Sequence, residues 1–213
     1  MLIKKPFRRL FKTGVLLSIS LWMSLFIANS ALAESAQSPL AKLPGNIAVH
    51  IAKTHYEHPV RLLHPYLDVW HMKGPLAEKA AFKSLEKRFA NVQHCADSEN
   101  VNVVLLLEPH MFYNPQLRVF HAEIIARVFI NSTELKDLEK PFISVKKQAQ
   151  QLGDLGIKPD FYMEKAYIKA MDKVIKKLET DQSFTSAIST AQNGNAQSLC
   201  AALDDLPVAK IYY

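Results

Sequence analysis

The chain has 213 residues, 49% of them hydrophobic, enough for one ordinary domain with a real core. Its formal charge of +6 is no nucleic-acid footprint, because Lys4, Lys5, Arg8, Arg9 and Lys12 crowd the start with no acid among them. Without those five the balance is 21 basic to 20 acidic residues, or +1, which gives no support for nucleic-acid binding, where a retained basic footprint is needed.

The basic start passes into an uncharged, mostly apolar run from Thr13 to Ala33 that closes on Ala31-Leu32-Ala33 before Glu34. This three-part pattern predicts a secretory signal peptide over residues 1–33, cleaved after Ala33. It implies a periplasmic or secreted protein with no stable membrane anchor after cleavage. The competing reading is an uncleaved anchor, since a membrane span needs roughly 20 apolar residues. No cysteine lies near the cleavage site, so no lipid is attached through an N-terminal cysteine. Residues 34–45 are small, polar and proline-containing, and are expected to form a flexible leader to a single domain over 46–213.

From Asn46 to Ala52 the apolar residues Ile47, Val49 and Ile51 alternate, predicting a first strand. Lys53 to Lys73 has no clear period and is read as a loop. Gly74-Pro75 opens a helix with Phe82, Leu85, Phe89 and Val92 as its apolar stripe. The organising stretch follows. Val103 to Leu107 is apolar at every position, as in a strand covered on both sides. From Phe120 the even positions Phe120, Ala122, Ile124, Ala126, Val128 and Ile130 are apolar. The odd positions His121, Glu123, Ile125, Arg127, Phe129 and Asn131 are mixed. Side chains alternate faces along a strand, so the two arms predict a long hairpin in the middle of an antiparallel sheet. Pro109 and Pro115 interrupt the segment between the arms, where pairing must loosen or run along an edge.

Pro141 to Val145 is a weaker third strand, and Lys146 to Lys158 a polar connection. Pro159-Asp160 starts a second helix with Tyr167, Met171, Val174 and Leu178 inward. Gln182 to Ala191 forms a short third one, ended by Asn193-Gly194-Asn195. The order β-α-β-β-(β)-α predicts an α+β fold, an antiparallel sheet of roughly three to five strands with helices on one face. The odd face of the second arm is then solvated or a partner surface.

The succession Phe82 to Cys95, Val101 to Ile130 and Phe161 to Leu178 resembles the small periplasmic domain of ABC-transporter auxiliary lipoproteins and related envelope proteins. The match is one of pattern and covers a little over half of the chain beyond Ala33. The resemblance implies a non-enzymatic accessory role in envelope transport or assembly.

The chemistry-bearing residues are few. His50, His55, His58, His64 and His71 fall close together, with Tyr56, Glu57, Tyr66 and Asp68 among them. Imidazole and carboxylate suit zinc or copper. His55 and His58, with His64, Asp68 or His71, are therefore candidate metal ligands. The competing reading scatters them over a surface loop. Cys95 and Cys200 are expected to pair in an exported chain. The bridge closes a loop of about 100 residues, worth on the order of 4 to 5 kcal/mol in the chain-entropy model. Neither cysteine lies in a Cys-x-x-Cys, no Gly-x-Ser-x-Gly is present, and no glycine run forms a phosphate cradle. Glu108 and Glu123 form a weak candidate carboxylate pair across the hairpin. No enzymatic activity and no cofactor are expected.

His110, Phe112 and Tyr113 between the prolines, with His121, Ile125, Arg127 and Phe129 on the odd face, make a candidate partner surface, since aromatics are enriched in interface cores. The expected function is an exported, non-enzymatic periplasmic binding or scaffolding protein with a protein partner in the cell envelope. The alternative is a soluble periplasmic metal-binding protein using the His50–His71 segment.

Overall fold

A computed structural model describes residues 42–131 and 138–206. The predicted signal peptide, its cleavage site and most of the leader lie outside the described residues, as do residues 132–137 and 207–213. The elements run β1 (Leu43–His50), α1 (Lys53–Tyr56), β2 (Pro59–Leu62), β3 (Val69–Met72), α2 (Lys73–Leu85), β4 (Phe89–His94), a 3-10 turn (Cys95–Asp97), β5 (Val103–Asn114), β6 (Val119–Ile130), β7 (Ile143–Leu152), α3 (Pro159–Glu179), α4 (Gln182–Thr190) and α5 (Gln197–Asp204).

The fold is α+β. A five-stranded sheet has the order β4-β1-β5-β6-β7, and β2 and β3 form a separate antiparallel pair. The hairpin is the longest ladder, β5 against β6 from Val103↔Ile130 to Asn114↔Val119, with β7 antiparallel on its far side. The even residues of β6 from Phe120 to Val128 are all at most 1% exposed. They share one core with Val103, Leu105 and Leu107 of β5 and with Ala166, Tyr167, Ala170 and Met171 of α3. Alanines at the α2 contact, Ala77, Ala80 and Ala81, are fully buried there as well. Asp181 caps α4 by accepting from the Ser183 and Phe184 backbone N–H groups at 3.0 and 3.3 Å.

Pro109 lies inside the ladder opposite Ile124 rather than in a loop. Asn131 N–H donates to Asn102 O, so the even residues of this strand turn their backbone groups toward β6 and the odd ones away. The missing donor of Pro109 therefore faces the other edge, where pairing with β1 stops at Leu106. Proline is tolerated there because no ladder bond is lost.

The sheet is mixed rather than purely antiparallel, since β1 runs parallel to both β4 and β5. The apolar positions Phe82, Leu85, Phe89 and Val92 fit a helix, yet α2 ends at Leu85 and Phe89 to His94 form β4. No glycine or proline marks that stop, and a parallel strand gains its partner only from β1, far away in sequence. β1 itself begins at Leu43, inside the expected leader. Lys53 to Lys73 is not a plain loop but holds α1 and the β2–β3 hairpin, and β7 extends through the expected polar connection to Leu152. Its carbonyls at Gln148 and Gln150 accept from Lys173 and Lys169 of α3 at 2.8 and 3.4 Å, so lysines cap an edge that would otherwise be unpaired.

The helices are not confined to one face. Cys95 and Cys200 form a disulfide with Cα atoms 6.0 Å apart, which holds α5 on the second face of the sheet. There Ala48, Val104, Leu106 and Phe129 pack with Leu199 and Leu203 in a second buried cluster. His50 and the Lys53 N–H both reach Asp204 at the end of α5, at 3.1 and 2.9 Å. The Asn102 side chain accepts from Asn46 N–H at 2.8 Å and donates to Ala191 O at 2.6 Å, fixing the junction below.

Candidate functional site

Among the described residues only part of the second sheet face is covered. Beyond Leu106 and Phe129 the side chains of that face are Glu108, His110 and Phe112 on β5, with Arg127, Ile125, Glu123 and His121 opposite them on β6. The β2–β3 hairpin stands beside the free edge of β5 and walls a groove of about 1260 Å³. Val60, Leu63 and Trp70 of the hairpin segment line it, together with Met111 and Phe112 of β5. Its polar lining includes the cations Arg61, Lys73 and Lys173, with His58, His110, His121 and Glu123.

A charged network underlies the groove. Glu108 is 5% exposed. One of its carboxylate oxygens pairs with His110 Nε2 at 3.0 Å, the other accepts from Arg127 at 2.9 Å. The His110 hydrogen bond holds the Glu108 carboxyl down to about 2, against the opposing effect of burial, with His55 and Arg127 adding to the lowering. His55 is 6% exposed, its Nδ1 has no partner, and its ring lies 6.2 Å from that of His110. Burial pushes its imidazole down to about 4, so it is neutral near neutral pH.

Lys73, the first residue of α2, is only 2% exposed. Burial lowers the pKa of its ammonium while the Glu108 charge raises it. Its position follows from Gly74, where an added Cβ would lie 2.5 Å from the backbone and ring of Tyr56. Only glycine lets α1 and the start of α2 approach this closely. On the far side of the hairpin His71 is 4% exposed, with Nε2 unpartnered and its ring 6.1 Å from Tyr167, whose hydroxyl is also buried without a partner. Burial pushes His71 down to about 4 and the Tyr167 hydroxyl well up.

The four candidate metal ligands do not converge. His55 faces His110, His64 lies against Tyr66 and Tyr113, and His71 lies against Tyr167. Among the described residues no group of three or more His, Cys, Asp or Glu is placed to hold a metal ion. The carboxylate pair is also absent. Glu108 is engaged as above, and Glu123 is held by Lys146 at 2.9 Å and by Gln148.

The candidate partner surface divides. His110, Phe112, His121, Ile125 and Arg127 lie on the open part of the face, Phe112 being 52% exposed. Phe129 is on the same face but fully buried, because α5 and the disulfide cover that end. Tyr113 is 1% exposed, because β5 continues through it and alternation turns its ring into the core against Phe120. Reading the sequence missed Lys73, Trp70 and Leu63 as site residues. The hairpin signal was there, with Pro59–Leu62 and Val69–Met72 flanking a His64-Pro65 turn, but nothing local tells that it stands over β5.

No protein-family model matches the sequence, and no curated protein matches it. In solved structures the chain is similar to a DUF330-family protein from Xanthomonas campestris, at 11% identity and a TM-score of 0.42, covering 70% of this chain and 87% of that one. It is also similar to a "putative lipoprotein" from Caulobacter crescentus, at 11% identity and a TM-score of 0.34, covering 66% of this chain and 90% of that one. Likenesses at this level carry no statement about activity.

Proposed function

We propose that this is an exported, non-enzymatic binding protein, accessory to transport or assembly in the cell envelope, and that its binding site is the groove between the β2–β3 hairpin and the open half of the sheet. One observation carries the reading. Trp70, Leu63 and Phe112 are 59%, 57% and 52% exposed around a single groove, and clustered large apolar side chains on a surface mark a binding site. The signal-peptide pattern and the disulfide support an oxidising compartment outside the cytoplasm. Both oxygens of Glu108 are engaged by neighbouring side chains, His110 and Arg127.

The test uses a photo-crosslinking residue placed in living cells at Phe112, in the groove, or at Ala90, on the outer strand β4. The expected result is an adduct of defined mass from position 112 and none from position 90. Equal yields at both positions, or no adduct at 112, would sink the assignment.

A further inference from the structure

We propose that the groove takes one elongated apolar molecule ending in a single anionic group, a carboxylate or a phosphate, with that end seated on Lys73 and the apolar body lying along Trp70, Leu63 and Phe112. The inference rests on the groove being the binding site and names what occupies it.

The anionic end is argued from charge. Lys73 lines the groove and is 98% buried, its exposure being 2%. Glu108, the carboxylate whose charge acts on Lys73, has both oxygens committed to His110 and Arg127. Glu123, the acid on the groove wall, is committed to Lys146 and Gln148. Among the described residues no carboxylate lies within ion-pairing distance of Lys73. The neighbouring imidazoles of His55 and His71 carry no negative charge in either protonation state. An ammonium on a side chain so little exposed and without a paired anion is poorly solvated, and an entering anion offsets that cost.

The apolar body is argued from the walls. Val60, Leu63, Trp70, Met111 and Phe112 give one side and the floor, and the volume of about 1260 Å³ exceeds the roughly 300–1,000 Å³ of ordinary small-molecule pockets. Such a space is large enough to take a long chain. An extended peptide fits less well. It would pair with the free edge of β5, but Pro109 stands in the middle of that edge with no N–H to give.

The protein as recovered from the cell envelope, stripped of bound lipid, is titrated with radiolabelled palmitate, with the corresponding alcohol, and with vesicles of phosphatidylglycerol or phosphatidylcholine. The expected result is saturable binding of palmitate, of phosphatidylglycerol, or of both, at least tenfold tighter than the uncharged or zwitterionic counterpart. Palmitate alone assigns a free carboxylate, and phosphatidylglycerol alone assigns a lipid phosphate. Lys73→Met keeps the buried stem and removes the charge, and should erase the tenfold preference while leaving alcohol binding unchanged. Trp70→Ala, at an exposed position, should weaken acid and alcohol alike and gives a readout should Lys73→Met fail to fold. Equal binding of acid and alcohol, or a Lys73→Met protein that keeps the preference, overturns the proposal. If no lipid binds while position 112 still yields its adduct, the occupant is wrong and the groove assignment stands. If position 112 is also silent, both fall.

Discussion

The second face of the sheet is one surface with two opposite halves. At one end Val104, Leu106 and Phe129 lie sealed beneath α5, which the Cys95–Cys200 bridge holds in place. At the other end the same strands β5 and β6 carry His110, Phe112, Arg127 and His121 beyond α5, above a Glu108 that stays buried beside His55 of α1. Alternation along the strands puts all of these on one face and cannot say which half is covered. Coverage is decided by a segment about 100 residues further along the chain, and it turns one half into core and leaves the other for binding.

Breaking the bridge should have the largest effect. Cys95→Ala with Cys200→Ala releases a constraint across a separation of 105 residues, worth about 5 kcal/mol in the chain-entropy model. Urea unfolding should show that loss, and the groove should keep its ligand wherever the protein remains folded. A loss under about 1 kcal/mol would mean that α5 holds its place without the bridge.

Next comes Phe129→Ala, which opens a cavity under α5 and should cost about 3 to 5 kcal/mol. The same truncation at Phe112, on the same face and half exposed, should change stability by less than about 0.5 kcal/mol. Similar costs at the two sites would erase the distinction between the halves.

Acid should act on the hairpin side first. His55 and His71 are held to about 4 when folded and return to 6.5 when unfolded. Between those values the unfolded chain binds more protons, so stability is full above pH 6.5 and is lost as pH falls through 4, at roughly 1.4 kcal/mol per pH unit for each proton. Glu108, lowered from 4.5 to about 2, extends the loss below pH 4.5. His71→Phe deletes an imidazole whose Nε2 has no partner. It should make the decline between pH 6.5 and 4 shallower by one proton. An unchanged slope would show that His71 does not stay neutral in the fold.

What the sequence made legible was what local periodicity encodes. The inward face of β6, the inward stripe of α3 and the short helix α4 follow from spacings within a few residues. The strand β4 was hidden because Phe89 and Val92 satisfy a helical stripe as well as a strand, and only its parallel pairing with β1 decides. Phe129 was placed on the correct face and given the wrong surroundings, because α5 reaches it through a distant disulfide. Lys73 carried no signal, since a lysine at a helix start is ordinarily solvated, and it is buried here only because Gly74 lets α1 close over it. The histidines looked like a ligand set in one dimension. In three they are divided between the core side of the hairpin and the groove.

The most direct measurement pairs Phe129→Ala and Phe112→Ala in one experiment, reading urea stability and palmitate binding on each purified protein. The account predicts a crossed result, with Phe129→Ala unstable but still binding under native conditions and Phe112→Ala stable but weakened in binding several-fold. If Phe112→Ala binds as well as the unmodified chain, or loses as much stability as Phe129→Ala, the division of this face into a sealed half and a binding half is wrong.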